Sequence, residues 1–221
     1  MSLGQYVWAG SAVTLGLYHL NGNSNDSSWN ARTWTDTSMT YTQAWGKYGT
    51  WAVFDGSASK ITLPTWVMPW WTNSFTVVCW FKNNSDTSFC LVWWQNSGAS
   101  GFTLDFNVQS ANNIGFTLVG QASNNNVYTA WTSNNNRHNI ICVADGSNGK
   151  ILYFDWIAVA TGAWTSNVLD PSRSVWLGYR DISPTDSFFN WSIGEVIFEN
   201  VWRSAGNVQR YYTYAKWCFG L

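Results

Sequence analysis

The chain has 221 residues, a formal charge of −1, and only 10% charged residues, against about 25% in an average soluble domain. Its pI is near 6.0, so it offers no basic face for counterion release from nucleic acid. No run approaches the roughly 18 uninterrupted apolar residues of a membrane-spanning helix, so no membrane insertion is expected. Asn, Ser, Thr and Gly supply the polar surface instead, as in Asn124-Asn125-Asn126 and Asn134-Asn135-Asn136. Such a surface suits an extracellular, cell-surface or virion setting.

Met1 to Gln5 show no basic region followed by an apolar stretch, so no secretory signal is read there. The chain length fits a single domain over 1–221. Strand-like segments follow at 12–19, 50–55 and 59–63. In 74–82, Phe75, Val77, Cys79 and Phe81 project to one face, and Thr76, Val78 and Trp80 to the other. Further strands are expected at 88–94, 101–107, 114–119 and 127–131. In 138–156, Asp145 to Gly149 separate two apolar runs and predict a hairpin. Strands at 174–179 and 192–199 complete the series, and no helices alternate with them. Many short strands of this kind predict an all-β, two-sheet antiparallel jelly-roll sandwich. One short C-terminal helix is expected over 204–216, with Ser204 as N-cap and Val208, Tyr211, Tyr212 and Ala215 at helical spacing.

Cys79, Cys90, Cys142 and Cys218 lack zinc-ligand spacing. Cys79 and Cys142 lie in apolar runs and read as small buried hydrophobes. A disulfide between them is the alternative.

Five stretches, in order, resemble the laminin-G-like branch of the concanavalin A-like lectin/glucanase superfamily. They are LYHLNGNSNDSSWN (17–30), GKYGTWAVFDGSASKITLP (46–64), SFTVVCWFK (74–82), RHNIICVADGSNGKILYFDW (137–156) and NWSIGEVIFENVWRSAGNVQRYYTYAK (190–216). The resemblance implies a jelly-roll with ligands on a sheet face or on rim loops. Because lectins, adhesion modules, glucanases and inert spacers share that fold, it does not choose an activity. It also implies a calcium ion on the rim or back, with Asp26, Asn30 and Asp155 as candidate oxygen ligands. Gly194 stands where the family has a further Asp.

Glu195 and Glu199 resemble the catalytic strand of laminarinase-type glucanases. Retaining hydrolysis needs carboxyls about 5–5.5 Å apart, whereas positions i and i+4 of a strand lie about 13 Å apart. Ile197 also takes the place of the intervening Asp, so no enzyme is expected. His19 and His138 are the only histidines. Neither stands near a Ser or Cys as a base would, and His138 reads as a strand-end histidine with a satisfied hydrogen bond.

The chain has 18 Trp and 18 Gly, and many Trp stand where local chemistry asks for Gly. Trp29, Trp156 and Trp191 follow turn-forming polar residues; Trp51 and Trp217 share the conflict, and Trp8, Trp34, Trp45, Trp66, Trp131 and Trp164 share it more weakly. Three readings compete. The residues are sugar-stacking platforms, or ordinary core, or glycines whose UGA codons have been read as Trp. Turn positions flanked by Asn and Ser favour the last, with Trp29, Trp156 and Trp191 expected in turns and largely exposed. Trp80 and Trp202 stand where the resemblance has Trp.

The resulting expectation is a non-catalytic binding module, for a glycan or cell-surface ligand, within an adhesin or secreted protein. The alternatives are a virion or surface decoration domain without a ligand, and a laminarinase-like hydrolase.

Overall fold

A computed structural model describes residues 13–32, 34–46, 49–68, 74–83, 89–95, 103–109, 113–120, 123–131, 134–145, 149–163, 174–180 and 187–219. The chain folds as an antiparallel β-sandwich with a short helix near its end. One sheet has eight strands: β1 (Thr14–Tyr18), β3 (Thr40–Gly46), β4 (Gly49–Asp55), β6 (Phe75–Lys82), β11 (Arg137–Asp145), β12 (Gly149–Phe154), β13 (Ile157–Gly162) and β17 (Asn190–Glu199). Their order is β13-β12-β11-β6-β17-β4-β3, with β1 also paired to β17. The second sheet runs β10-β9-β8-β7-β14-β5-β2. Its strands are β2 (Thr35–Thr37), β5 (Lys60–Leu63), β7 (Phe89–Gln95), β8 (Thr103–Gln109), β9 (Asn113–Gly120), β10 (Ser123–Ala130) and β14 (Val175–Leu177). A small ribbon pairs β15 (Tyr179–Arg180) with β16 (Ser187–Phe188).

Strand β6 is buried along its whole length because both of its faces are covered. Phe75, Val77, Cys79 and Phe81 enter the core between the sheets, with Ile140, Cys142, Val196 and Phe198 beside them. Val78 and Trp80 project the other way, into a second cluster with Ile141, Val143 and Ile197. The helix α1 (Ala205–Ala215) lies over that face, contributing Val208, Tyr211 and Ala215. Each side chain of the Val208 class buried there is worth about 1.5–3 kcal/mol. The Ser204 side chain caps α1 by accepting from the Asn207 backbone N–H at 3.3 Å. The layers are therefore helix, eight-stranded sheet, seven-stranded sheet.

Phe75, Val77, Cys79 and Phe81, expected on one face of β6, are buried between the sheets, and Ile141 and Val143 of β11 are buried on the helix side. Cys79, Cys90, Cys142 and Cys218 are buried thiols, none of them in a disulfide. The Cys79–Cys142 disulfide alternative therefore falls: Cys79 lies opposite Ile140, and Cys142 opposite Val77, two positions out of register. Burial pushes both thiols well above their ordinary pKa.

Two tryptophan expectations hold and two are corrected. Trp29 is 86% exposed in a turn, although the positive φ there belongs to Ala31. Trp156 is 41% exposed, and Asp155-Trp156, with φ of 46° and 70°, make a type I′ turn between β12 and β13. Trp191 lies within β17 and packs against the core. Trp51 is buried in β4, with its ring 5.6 Å from that of Phe219. Trp8 and Trp164 fall outside the described residues, as do the side chain of Trp45 and loop residues 146–148.

Candidate functional site

The carboxylates of β17 face the helix. Glu195 Oε2 lies 2.8 Å from His19 Nδ1, and Tyr211 donates its hydroxyl proton to Glu195 Oε1 at 2.6 Å. The Trp80 indole N–H in turn donates to the Tyr211 oxygen at 2.9 Å. Glu199 accepts two hydrogen bonds from Arg203, at 2.8 Å from Nε and 2.7 Å from Nη2. Burial raises the Glu199 pKa, and the Arg203 guanidinium opposes that rise. A β-bulge does occur in β17, but it falls at Gly194, before Glu195. From Glu195 to Glu199 the register against β6 is unbroken, so the carboxyls keep a spacing of about 13 Å. Both are buried beneath α1, where they fasten the helix and its lead-in to the sheet.

His138 is satisfied, as its strand-end position implies. Its Nδ1 lies 2.8 Å from Asp155 Oδ2, and its Nε2 lies 2.9 Å from Asn134 Oδ1. The other Asp155 oxygen accepts from the Asn139 backbone N–H at 2.9 Å.

The three candidate calcium ligands do not converge. Asp26 bridges to Tyr18 at one side of the sheet, while Asp155 closes the β12–β13 hairpin at the other. Four to five strand spacings separate them, roughly 20 Å. Asp26 Oδ1 accepts from the backbone N–H groups of Leu17 and Ser28, and Oδ2 from the Ser28 hydroxyl and the Arg32 N–H. Asn30 turns its amide N–H toward the Thr14 and Leu15 carbonyls, so its side chain stitches the turn to β1. These donors do not fit a shared cation, and no cluster of three or more His, Cys, Asp or Glu able to hold a metal occurs among the described residues. Asp55 plays the same role in the next turn, accepting from the N–H groups of Ser57, Ala58 and Ser59. Those three bonds hold its carboxyl far below the usual range. The run Asp55-Gly56-Ser57 signals such an Asx turn in the sequence.

No described helix covers the outer face of the seven-stranded sheet. Ile61, Leu63, Val175, Leu177, Val92 and Trp94 point into the core, so Lys60, Thr62, Trp176 and Trp93 project outward by the period-2 rule. Trp176 lies opposite both Thr62 and Trp93. The adjoining ribbon adds Tyr179 and Arg180. Lys60 Nζ stands 4.5 Å from the Tyr179 ring centre, Arg180 Cζ stands 5.0 Å from that of Trp93, and Trp176 meets Tyr179 edge-on at 6.4 Å. The result is an aromatic cluster edged by two cations, in which Trp93 and Tyr179 are buried and Trp176 is part-exposed. Sequence reading missed it because its members come from four separate segments. Gly178, with φ of 72°, turns the chain between β14 and β15 and so places Tyr179 and Arg180 there.

No family model matches the chain, and no curated protein does either. Solved structures do. Domain 4 of AbnA, a GH43 extracellular arabinanase from Geobacillus stearothermophilus, in complex with arabinotriose, is similar with a TM-score of 0.72 at 18% identity. The match covers 90% of this chain and 97% of that domain. The receptor binding domain of botulinum neurotoxin type G is similar with a TM-score of 0.69 at 16% identity, over 92% of this chain and 51% of that one. A structure described by the dependence of botulinum neurotoxin type C cell entry on two ganglioside molecules gives 0.72 at 11% identity, over 91% and 51%. This chain thus spans about half the length of the neurotoxin chains and nearly all of the arabinanase domain. At such identities the likeness establishes a shared β-sandwich fold.

Proposed function

We propose that the chain is a non-catalytic recognition module of the laminin-G-like type, binding a glycan or cell-surface ligand. Its setting is the outside of a cell, within an adhesin or another secreted protein. The observation that carries this reading is the aromatic cluster on the outer face of the seven-stranded sheet, where part-exposed Trp176 stands beside buried Tyr179, with Lys60 and Arg180 at its edge. Sugar rings stack on aromatic faces, and flanking cations and hydroxyls fix their orientation. The fold neighbours support the reading, since one is described with arabinotriose and another by its dependence on gangliosides. The burial of Glu195 and Glu199 under α1 supports a binding role over hydrolysis.

A glycan array on the purified chain, repeated with Lys60→Ala and Arg180→Ala, tests this. Binding to one sugar class should weaken by about tenfold in each variant, equivalent to about 1.4 kcal/mol, with unchanged melting midpoints. Binding that both variants retain would move the site elsewhere. Silence across the array would favour a virion or surface decoration domain.

A further inference from the structure

We infer that Trp34, Trp66, Trp93, Trp94, Trp156 and Trp191 are glycine positions, read as tryptophan from UGA codons that the source organism decodes as glycine.

The first observation is backbone conformation. Trp66 and Trp156 have φ of 73° and 70°, and Trp191 has 159°, at the edge of the region only glycine enters freely. For a bulky side chain positive φ is a genuine outlier. Trp156 occupies the second central position of a type I′ turn, the place where hairpins put glycine.

The second observation is hydrogen bonding. The indole N–H groups of Trp34, Trp93, Trp94 and Trp191 are buried with no acceptor. Buried tryptophan ordinarily finds a partner for that group, and Trp80 shows the fold supplying one at 2.9 Å. The contrast separates Trp80, whose N–H the fold satisfies, from four whose N–H it leaves unsatisfied.

The third is crowding. The rings of Trp34 and Tyr18 meet edge-on with centres only 3.7 Å apart, whereas aromatic pairs sit about 4.5–7 Å apart. Trp191 is marked by both backbone and N–H, and Trp34 by both N–H and crowding, while each of the other four is marked by one.

The inference bears on the proposed ligand face, though it does not depend on it. Trp93 lies beneath Arg180. Glycine at 93 leaves bare backbone beneath Arg180, so that part of the face is a groove edged by Tyr179 and Arg180 rather than a tryptophan pavement.

The test is the nucleotide sequence of the gene, with the intact mass of the chain from its source cells. The expected result is UGA at all six positions, UGG at Trp80 and Trp202, and a native chain lighter by one indolylmethyl group, less a hydrogen, at each UGA. UGG at Trp66 and Trp156, or a native mass that retains the indoles, overturns it. A second measurement uses the tryptophan-containing chain: Trp156→Gly and Trp66→Gly should each raise the melting midpoint by about 2–4 °C, the shift that corresponds to relieving one strained residue in a domain of this size. A lowered midpoint for both variants would show the indoles packing usefully and count against the inference. Neither result depends on whether the chain binds a glycan.

Discussion

Tyr211 on α1 and Glu195 on β17 are joined by a 2.6 Å hydrogen bond, and the Tyr211 oxygen also accepts from Trp80 on β6. One phenol thus ties the helix to two adjacent strands of the eight-stranded sheet. Burial and the neighbouring carboxylate push the Tyr211 pKa far up, so the hydroxyl keeps its proton and remains the donor. Tyr211→Phe preserves the ring but leaves the buried Trp80 N–H and one Glu195 oxygen without this partner. Leaving buried polar groups unpaired costs about 1–3 kcal/mol. A urea melt should show that loss with an unchanged slope, since the surface exposed on unfolding is the same. A variant as stable as the parent would show that water or His19 replaces the bond without penalty.

Lys150 on β12 is only 1% exposed, and its Nζ has no hydrogen-bond partner. Burial lowers its pKa to about 8, whereas an unfolded lysine titrates near 10.4. Between those values the unfolded chain holds a proton that the folded chain has released. Stability should therefore rise with pH across about 8 to 10, and the cost of the buried charge is present in full below that window. Above about pH 10 the buried phenols of Tyr18 and Tyr211, whose pKa values are raised by burial, reverse the slope. Lys150→Met should stabilise the chain by about 2 kcal/mol at pH 7 and flatten the rise between pH 8 and 10. Thermal melts across that range read both effects, and an unchanged pH profile in the variant would assign the slope to another group.

The elements legible in the sequence are those with long apolar runs or a clear period. β6, β11 and β17 are apolar and buried on both faces, and α1 shows its Val208, Tyr211 and Ala215 stripe. The short strands β2, β15 and β16 carry two or three residues each, too few for a period to register. β13 is not among the expected strands, because Ile157 is exposed and most of its other residues are small. At the level of the site, Glu195 and Glu199 look catalytic in one dimension because strand spacing does not reveal the helix that covers them. Lys60, Tyr179 and Arg180 are invisible for the opposite reason: nothing local links residues that only cross-strand pairing brings together. Trp191 lies in a strand rather than a turn because the polar residue before it, Asn190, opens β17 instead of ending a loop.

Asp26 is a turn clasp by geometry, with its two oxygens accepting from Leu17, Ser28 and Arg32. Asp26→Ala should lower stability by about 1–3 kcal/mol, because three backbone N–H groups lose a charged acceptor together. Calcium should add nothing to the parent chain. Melting midpoints measured in millimolar calcium and in EDTA should coincide, as expected when no folded-state site gains free energy from the ion. A midpoint that rises with calcium in the parent and not in Asp26→Ala would instead make Asp26 a ligand.

Glu195 and Glu199 set the remaining test, because they separate a hydrolase from a binding module. A retaining pair must flank one sugar with its carboxyls about 5–5.5 Å apart, and an unbroken strand holds these two about 13 Å apart. An inverting pair tolerates at most about 9.5 Å, which the strand spacing also exceeds. Access fails as well. Glu199 is fully buried and held by both ends of the Arg203 guanidinium, and Glu195 is held between His19 and Tyr211. Incubation with laminarin should therefore release no reducing sugar above the buffer blank. Glu195→Gln should leave that result unchanged while lowering the melting midpoint, because the amide presents N–H where the carboxylate accepted. Glu199→Ala should destabilise by about 1–3 kcal/mol, because part-buried Arg203 loses two charge-assisted hydrogen bonds. Reducing sugar released by the parent chain and abolished by Glu195→Gln would require α1 to move off the sheet, and would return this face to catalysis.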